Sequence, residues 1–264
     1  MVLSLHLIAL ALYGVATALA LAPFLGVGAP ARVAMLAASA AGAALHVVGV
    51  SQLSVVGLAP SLSLLALCLI LLQLASEAVL RASAVALFTA PLAAGLVGLA
   101  LLLGLAPGAE VASGRGAWLL LHVALSFFGV AFLALAFIAA ALYLLQFRQL
   151  KTKQFGQMFQ HFPPLERLDR LNQVALVVGF PTLTLGVLLA IGYAVRFAGA
   201  VQVDKAQIVW GMFTWVVLGW AVWVRVVRHW TGRRAAFASI AGFAAVLLVY
   251  VALKLAAPGA ERFL

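Results

Sequence analysis

The chain has 264 residues, 67% of them hydrophobic and only 8% charged. A water-soluble domain is nearer half apolar and a quarter charged, so this composition excludes a fold that must cover itself with polar surface. The formal net charge of +10 does not point to nucleic acid, because the basic residues fall in short stretches between apolar runs, where Lys and Arg orient membrane proteins.

Apolar runs of the length that crosses a bilayer occupy 3–24, 31–52, 61–80, 84–105, 116–146, 172–195, 207–228 and 235–257. The expected fold is all-α: a polytopic membrane helix bundle of about eight transmembrane helices, in one domain spanning 1–264. The first run has no charged leader region and no small-residue cleavage site, so it reads as a retained helix; His6 lies near its start. The second carries His46 late in its course. The third contains Cys68, the single cysteine, which excludes an intramolecular disulfide, a CxxC redox pair and a CxxCH haem-attachment motif. Pro91 interrupts the fourth.

The fifth run is long enough, at about 1.5 Å per residue, to project beyond the hydrocarbon core. His122, Ser126 and Gly129 fall on one face of it, at helical spacing. Small residues there admit a ligand or a neighbouring helix at close range. The stretch 147–171 mixes Phe155, Met158, Phe159 and Phe162 with basic residues. It fits an amphipathic cytoplasmic segment lying on the inner surface, or equally a solvated hairpin between spans. Pro181 interrupts the sixth run. Asp204 and Lys205 precede the seventh, where an acidic group suits a helix N-terminus. That run carries Trp210, Trp215, Trp220 and Trp223; Trp210 shares a face with Thr214, and Trp215 and Trp220 lie deep enough to line a cavity.

Charge sets an expected orientation. Arg148, Lys151, Lys153, Arg167 and Arg170 follow the fifth run, and Arg225, Arg228, Arg233 and Arg234 surround the end of the seventh. Both gaps are expected on the cytoplasmic side, which puts both termini outside. His6, His46, His122, Trp118, Trp210 and Asp204 then share the outer side. His161 and His229, among the basic gaps, read as interfacial surface histidines.

Ionisable groups inside a membrane are costly and are functional candidates by default. Histidine is the usual protein ligand of haem iron. His46 and His122 form a candidate bis-His haem site if their helices flank one cleft; the alternative is that each is bonded to backbone or to Ser and Thr in a helix interface. No acidic residue lies mid-span, and no Ser-His-Asp set, P-loop or HExxH motif occurs.

Four stretches resemble the cytochrome c assembly protein family, in its CcsA/HemX-like integral membrane branch: AALHVVGVSQ with the following LSLLALCLILL, the long span from Trp118 to Lys151, FPPLERLDRLNQVALVVGFPTLTLGVLLAIGYA, and the segment from Val203 to Phe243. The resemblance covers most of the chain from about residue 42 onward. It implies a haem-handling role in c-type cytochrome biogenesis at the outer face of the bacterial inner membrane, with haem b bound non-covalently. The implied partners are membrane lipid, a second assembly subunit and apocytochrome c, and no nucleic acid. His122 matches the family's first outer histidine. Asp204 and Lys205 match the ends of its Asp-Pro-Lys element, and Trp210 and Trp215 match tryptophans beyond it. Val201 and Val203 stand where motif tryptophans occur in full members, Trp223 where a later intramembrane histidine occurs, and Glu261 where the second outer histidine occurs. In this the chain is closer to the short, HemX-like members. Two other functions are open to a chain of this kind: a small-solute transporter with a Trp-lined cavity, and a regulatory scaffold for a haem-synthesis enzyme that uses 147–171 as its contact. Conventional catalysis is not expected.

Overall fold

The computed structural model describes residues 1–25, 32–53, 57–105, 114–153, 163–198 and 206–256. The described residues form eight helices long and apolar enough to cross a membrane: α1 (Val2–Leu21), α2 (Arg32–Val50), α3 (Leu58–Leu80), α4 (Ala86–Leu103), α5 (Gly114–Thr152), α6 (Leu165–Tyr193), α7 (Ala206–Val226) and α8 (Gly232–Ala256). The all-α, multi-pass expectation holds. Asp204, Lys205 and His161 lie outside the described residues.

Several boundaries move for local reasons. α1 ends at Leu21 and tightens into a 3₁₀ turn over Ala22–Leu25, because Pro23 cannot donate the next helical hydrogen bond. α3 begins before Pro60, which sits in its first turn where a missing N–H costs nothing. The residue ahead of α3, Gly57, has φ of +125°, a backbone state that side chains other than glycine's resist. Pro91 and Pro181 lie inside α4 and α6, which continue through them. The stretch 147–171 is shared out: its beginning extends α5 to Thr152, and its end opens α6 at Leu165. Only 154–162 lies outside the described residues.

The helices sort into two groups. α1 packs on α2 and α4, α2 on α3, and α3 on α4; α5 packs on α6 and α8, α6 on α7 and α8, and α7 on α8. α3 joins the groups by lying against α5. The exterior is apolar, with Leu7, Val15, Leu92, Leu188, Val216 and Leu248 exposed, while polar groups such as His6, His46, Gln73, Asn172 and Arg225 are buried. That inversion suits a lipid solvent, in which helices associate through close packing and interior hydrogen bonds.

Candidate functional site

Two histidine centres stand in the two groups. The first is the seam between α5 and α6. Gly129 faces Leu183, and a Cβ added to Gly129 would meet Leu183 Cβ at 2.6 Å. Gly179 faces Phe132 in the same way, at 2.6 Å. Gly186 faces Ser126, at 2.7 Å from its Oγ and 3.0 Å from its backbone nitrogen. Glycines on both helices therefore bring the two backbones together. At that distance α5 side chains reach α6 carbonyls: Trp118 Nε1–H donates to Leu189 O at 2.9 Å, and His122 Nδ1 lies 2.8 Å from Gly186 O. Ser126 Oγ lies 3.4 Å from the same nitrogen.

A carbonyl oxygen only accepts, so His122 Nδ1 carries a proton, and in the neutral ring the lone pair is on Nε2. Nε2 makes no hydrogen bond among the described residues, and the ring is half-buried. The face of α5 read from the sequence is thus real, and the partner that fills it is α6.

The second centre is enclosed by α1, α2 and α3. His6 and His46 lie with ring centroids 5.0 Å apart, edge to face. Both present Nε2 to Ser63 Oγ, at 2.9 and 2.8 Å. His6 Nδ1 lies 2.9 Å from Val2 O, and His46 Nδ1 lies 3.1 Å from the Tyr13 hydroxyl. Gly49 makes room for the His6 ring and Gly42 for the Tyr13 ring; a Cβ at either would stand 2.8 or 2.7 Å from the ring. His6, His46, Ser63 and Tyr13 are fully buried.

His6 and His46 are therefore brought together, and no hydrogen bond or ring contact among the described residues joins either to His122. This bears on haem. An axial histidine needs one free nitrogen lone pair, with the other ring nitrogen donating to an acceptor that fixes the ring. His122 meets both conditions. His46 does not, because Tyr13 and Ser63 engage both of its nitrogens. The arrangement fits one histidine ligand from His122 and does not fit a His46–His122 pair.

The tryptophans divide similarly. Trp215 donates to Thr184 Oγ1 at 2.9 Å and packs on Phe180, so it seats α7 on α6 two residues from Gly186. Trp210 donates to Val246 O at 3.2 Å and meets Tyr250, seating α7 on α8. Trp220, read as a cavity lining, is exposed on the outer surface, as is Trp223. Alternation around a helix fixes relative faces, and here the deep position of Trp220 points outward to lipid.

The sequence reading missed Tyr13, Ser63 and Gly186, which have no signature of their own. It also missed a charge clamp. Arg225, with its side chain 2% exposed, donates to both carboxylate oxygens of Asp169, at 2.8 and 2.6 Å. It reaches Trp230 O as well, and Asp169 Oδ1 accepts the Gly232 N–H at the start of α8. Nearby, Asn172 donates to Ala136 O and Ser239 Oγ, tying α6 to α5 and α8. Asp169 and Asn172 belong to the third of the four stretches that resemble the family, and both hold helices together.

Comparison with known proteins gives a match that includes that segment. The family model described as Cytochrome C assembly protein matches residues 55–260. Among curated relatives, the cytochrome c biogenesis protein CcsA of Guillardia theta is 26% identical over 161 residues, covering 55% of this chain and 54% of that protein. CcsA of Chlamydomonas reinhardtii is 25% identical over 146 residues, 55% of this chain and 40% of that protein. CcsA of Trichormus variabilis is 29% identical over 98 residues, 37% of this chain and 28% of that protein. The chain spans about half, or less, of the length of these relatives. The match takes in the His122 seam and the Asp169 clamp and begins after His6, Tyr13 and His46.

Proposed function

The chain belongs to the cytochrome c assembly protein family, and from that premise we propose that it handles haem in c-type cytochrome biogenesis, with His122 as the iron ligand. The relatives' naming as cytochrome c biogenesis proteins supports the biogenesis reading. One observation supports the site: the Nδ1–H of His122 is committed to Gly186 O, which fixes the ring plane and leaves Nε2 without a hydrogen bond among the described residues. Trp118 and Ser126 hold the same stretch of α5 against α6, so the ligand is set by backbone packing rather than by a flexible loop. Trp215 and Trp210 steady α7 beside that seam. Asp204 completes the site on the resemblance alone. Haem here is cargo, held non-covalently for delivery to apocytochrome c at the outer face of a bacterial inner membrane, and a second assembly subunit completes the machinery.

The test is an absorbance spectrum of detergent-purified protein, oxidised and reduced, after growth with added haem precursor. The expected result is a Soret band that falls at least fivefold in His122→Ala and recovers in His122→Gly when imidazole is added. His46→Ala retains the band. Wild-type protein without a Soret band after haem supplementation would overturn the reading, as would an undiminished band in His122→Ala.

A further inference from the structure

The haem reading leaves the centre around Ser63 without a task. Its protons can be assigned. Val2 O only accepts, so His6 Nδ1 donates to it, and His6 Nε2 must accept the Ser63 hydroxyl proton. The Ser63 oxygen then accepts from His46 Nε2–H, and His46 Nδ1 accepts from Tyr13 O–H. The result is one directed chain of four hydrogen bonds, from Tyr13 within the bundle to the carbonyl at the start of α1. The two rings are in opposite tautomers.

The polar line resumes farther along the same helices. Gln73 donates to Ser39 Oγ at 3.1 Å and accepts from Thr89 Oγ1 at 2.7 Å, all three buried. One turn of α3 beyond, buried Glu77 pairs through one oxygen with half-exposed Arg32; its other oxygen, Oε2, has no hydrogen-bond partner among the described residues. Ser63, Gln73 and Glu77 are all buried along α3, as are Ser39 and His46 along α2. An apolar layer that includes Ala9, Ala43, Ala66, Ile70, Ala93 and Val97 lies in the same bundle. Most of the buried polar and charged side chains of the described residues lie in α1–α4. Some of these bonds join helices, yet buried ionisable groups are costly in lipid, and such intramembrane lines mark proton and ion paths.

We propose that the α1–α4 bundle is a proton path across the membrane, with the Tyr13–His46–Ser63–His6 chain as its relay, Glu77 as the proton-exchanging group at the opposite end, and the apolar layer as the gate between them. In a transfer toward the Val2 end, Tyr13 passes its proton to His46 Nδ1 while the His46 Nε2 proton moves to Ser63. The Ser63 proton moves to His6 Nε2, and the His6 Nδ1 proton passes to water at the partly exposed Val2 end of α1. Water entering the gate returns a proton to Tyr13 from Glu77, which is reprotonated from its own side beside Arg32. One proton enters and one leaves; the rings and hydroxyl then turn back to repeat the cycle.

The test is reconstitution of the full chain in phosphatidylcholine vesicles loaded with a fluorescent pH indicator, with a potassium diffusion potential set by valinomycin driving protons. The expected internal pH change is at least tenfold faster than in protein-free vesicles. Tyr13→Phe, which removes a single oxygen, and Glu77→Gln each slow the protein-dependent rate tenfold or more; Trp220→Phe, on the outer surface, retains it. Nitrogen-15 NMR of the wild type, which needs no variant to fold, is expected to show Nδ1–H at His6 and Nε2–H at His46. Equal rates with and without protein overturn the proposal, and so does a Tyr13→Phe that conducts as the wild type, or the same tautomer at both rings.

Discussion

The two halves of this protein use histidine in opposite ways. In α1–α4, His6 and His46 have all four ring nitrogens engaged, and both side chains are buried. In α5–α8, His122 has one nitrogen committed to a backbone carbonyl, the other uncommitted, and a ring that is half-buried. The difference teaches that burial does not make an intramembrane histidine a ligand. A ligand needs an open lone pair held in a fixed orientation, whereas a fully engaged network is suited to passing protons along its members.

The halves also differ in what holds them, and that contrast can be broken most forcefully at the charge clamp. Asp169→Ala leaves the Arg225 guanidinium buried without a counter-ion and Gly232 N–H without an acceptor. The expected loss is about 3–5 kcal/mol, read as a large drop in the detergent unfolding midpoint. Replacing Arg225 by Met in the same chain is expected to restore most of it, because the stranded charge goes with it. In the α1–α4 half the corresponding cut is Ser63→Ala. It leaves His46 Nε2–H without an acceptor and His6 Nε2 without a donor, at about 1–3 kcal/mol for each group. The same unfolding measurement checks it, and the Soret band should not change. A Ser63→Ala protein that unfolds like the wild type would show that the two rings repack freely and that the centre is not a network.

How much of this was legible in the sequence follows from what each signal encodes. The eight spans were legible because lipid demands apolar length, and composition records that directly. The α5 face was legible from the spacing of His122, Ser126 and Gly129. Which helix would fill it was not, since that depends on Gly179 and Gly186 meeting it from more than 45 residues away in the chain, as the Gly129–Gly179 numbering shows. The partner of His46 was left open for the same reason: its level in the membrane allowed both His6 and His122 as neighbours, and helix packing places it beside His6 and Ser63. The interval 147–171 looked like a surface segment because its residues are polar, yet most of its flanks continue α5 and α6 beyond their apolar runs. Trp220 was read as lining because depth was taken for enclosure.

A smaller perturbation sharpens the seam half of the comparison. Gly186→Ala places a methyl group against the Ser126 backbone, which cannot swing aside as a side-chain tip can. Overpacking of this kind costs about 1–3 kcal/mol. The more informative readout is the haem spectrum. If α5 must move outward to accept the methyl group, the His122–Gly186 hydrogen bond lengthens and the Soret band weakens with His122 still in place. A fully retained band would show that the carbonyl does not orient the ligand.

The smallest expected effect comes from two arginines three residues apart. Arg225 and Arg228 lie at the same end of α7, and nothing in the local sequence ranks them. Arg225 is enclosed and meets Asp169 with both of its terminal nitrogens. Arg228 is exposed and lies 5.8 Å from the ring centre of Trp223, itself open to the surroundings. An exposed contact of that type is worth about 0.5–1 kcal/mol. Arg228→Gln should therefore shift the unfolding midpoint only slightly, against the large loss on breaking the Arg225 pair. Equal losses at the two positions would mean that positive charge at this membrane edge, rather than the fit of Arg225 to Asp169, holds α7 to α6 and α8.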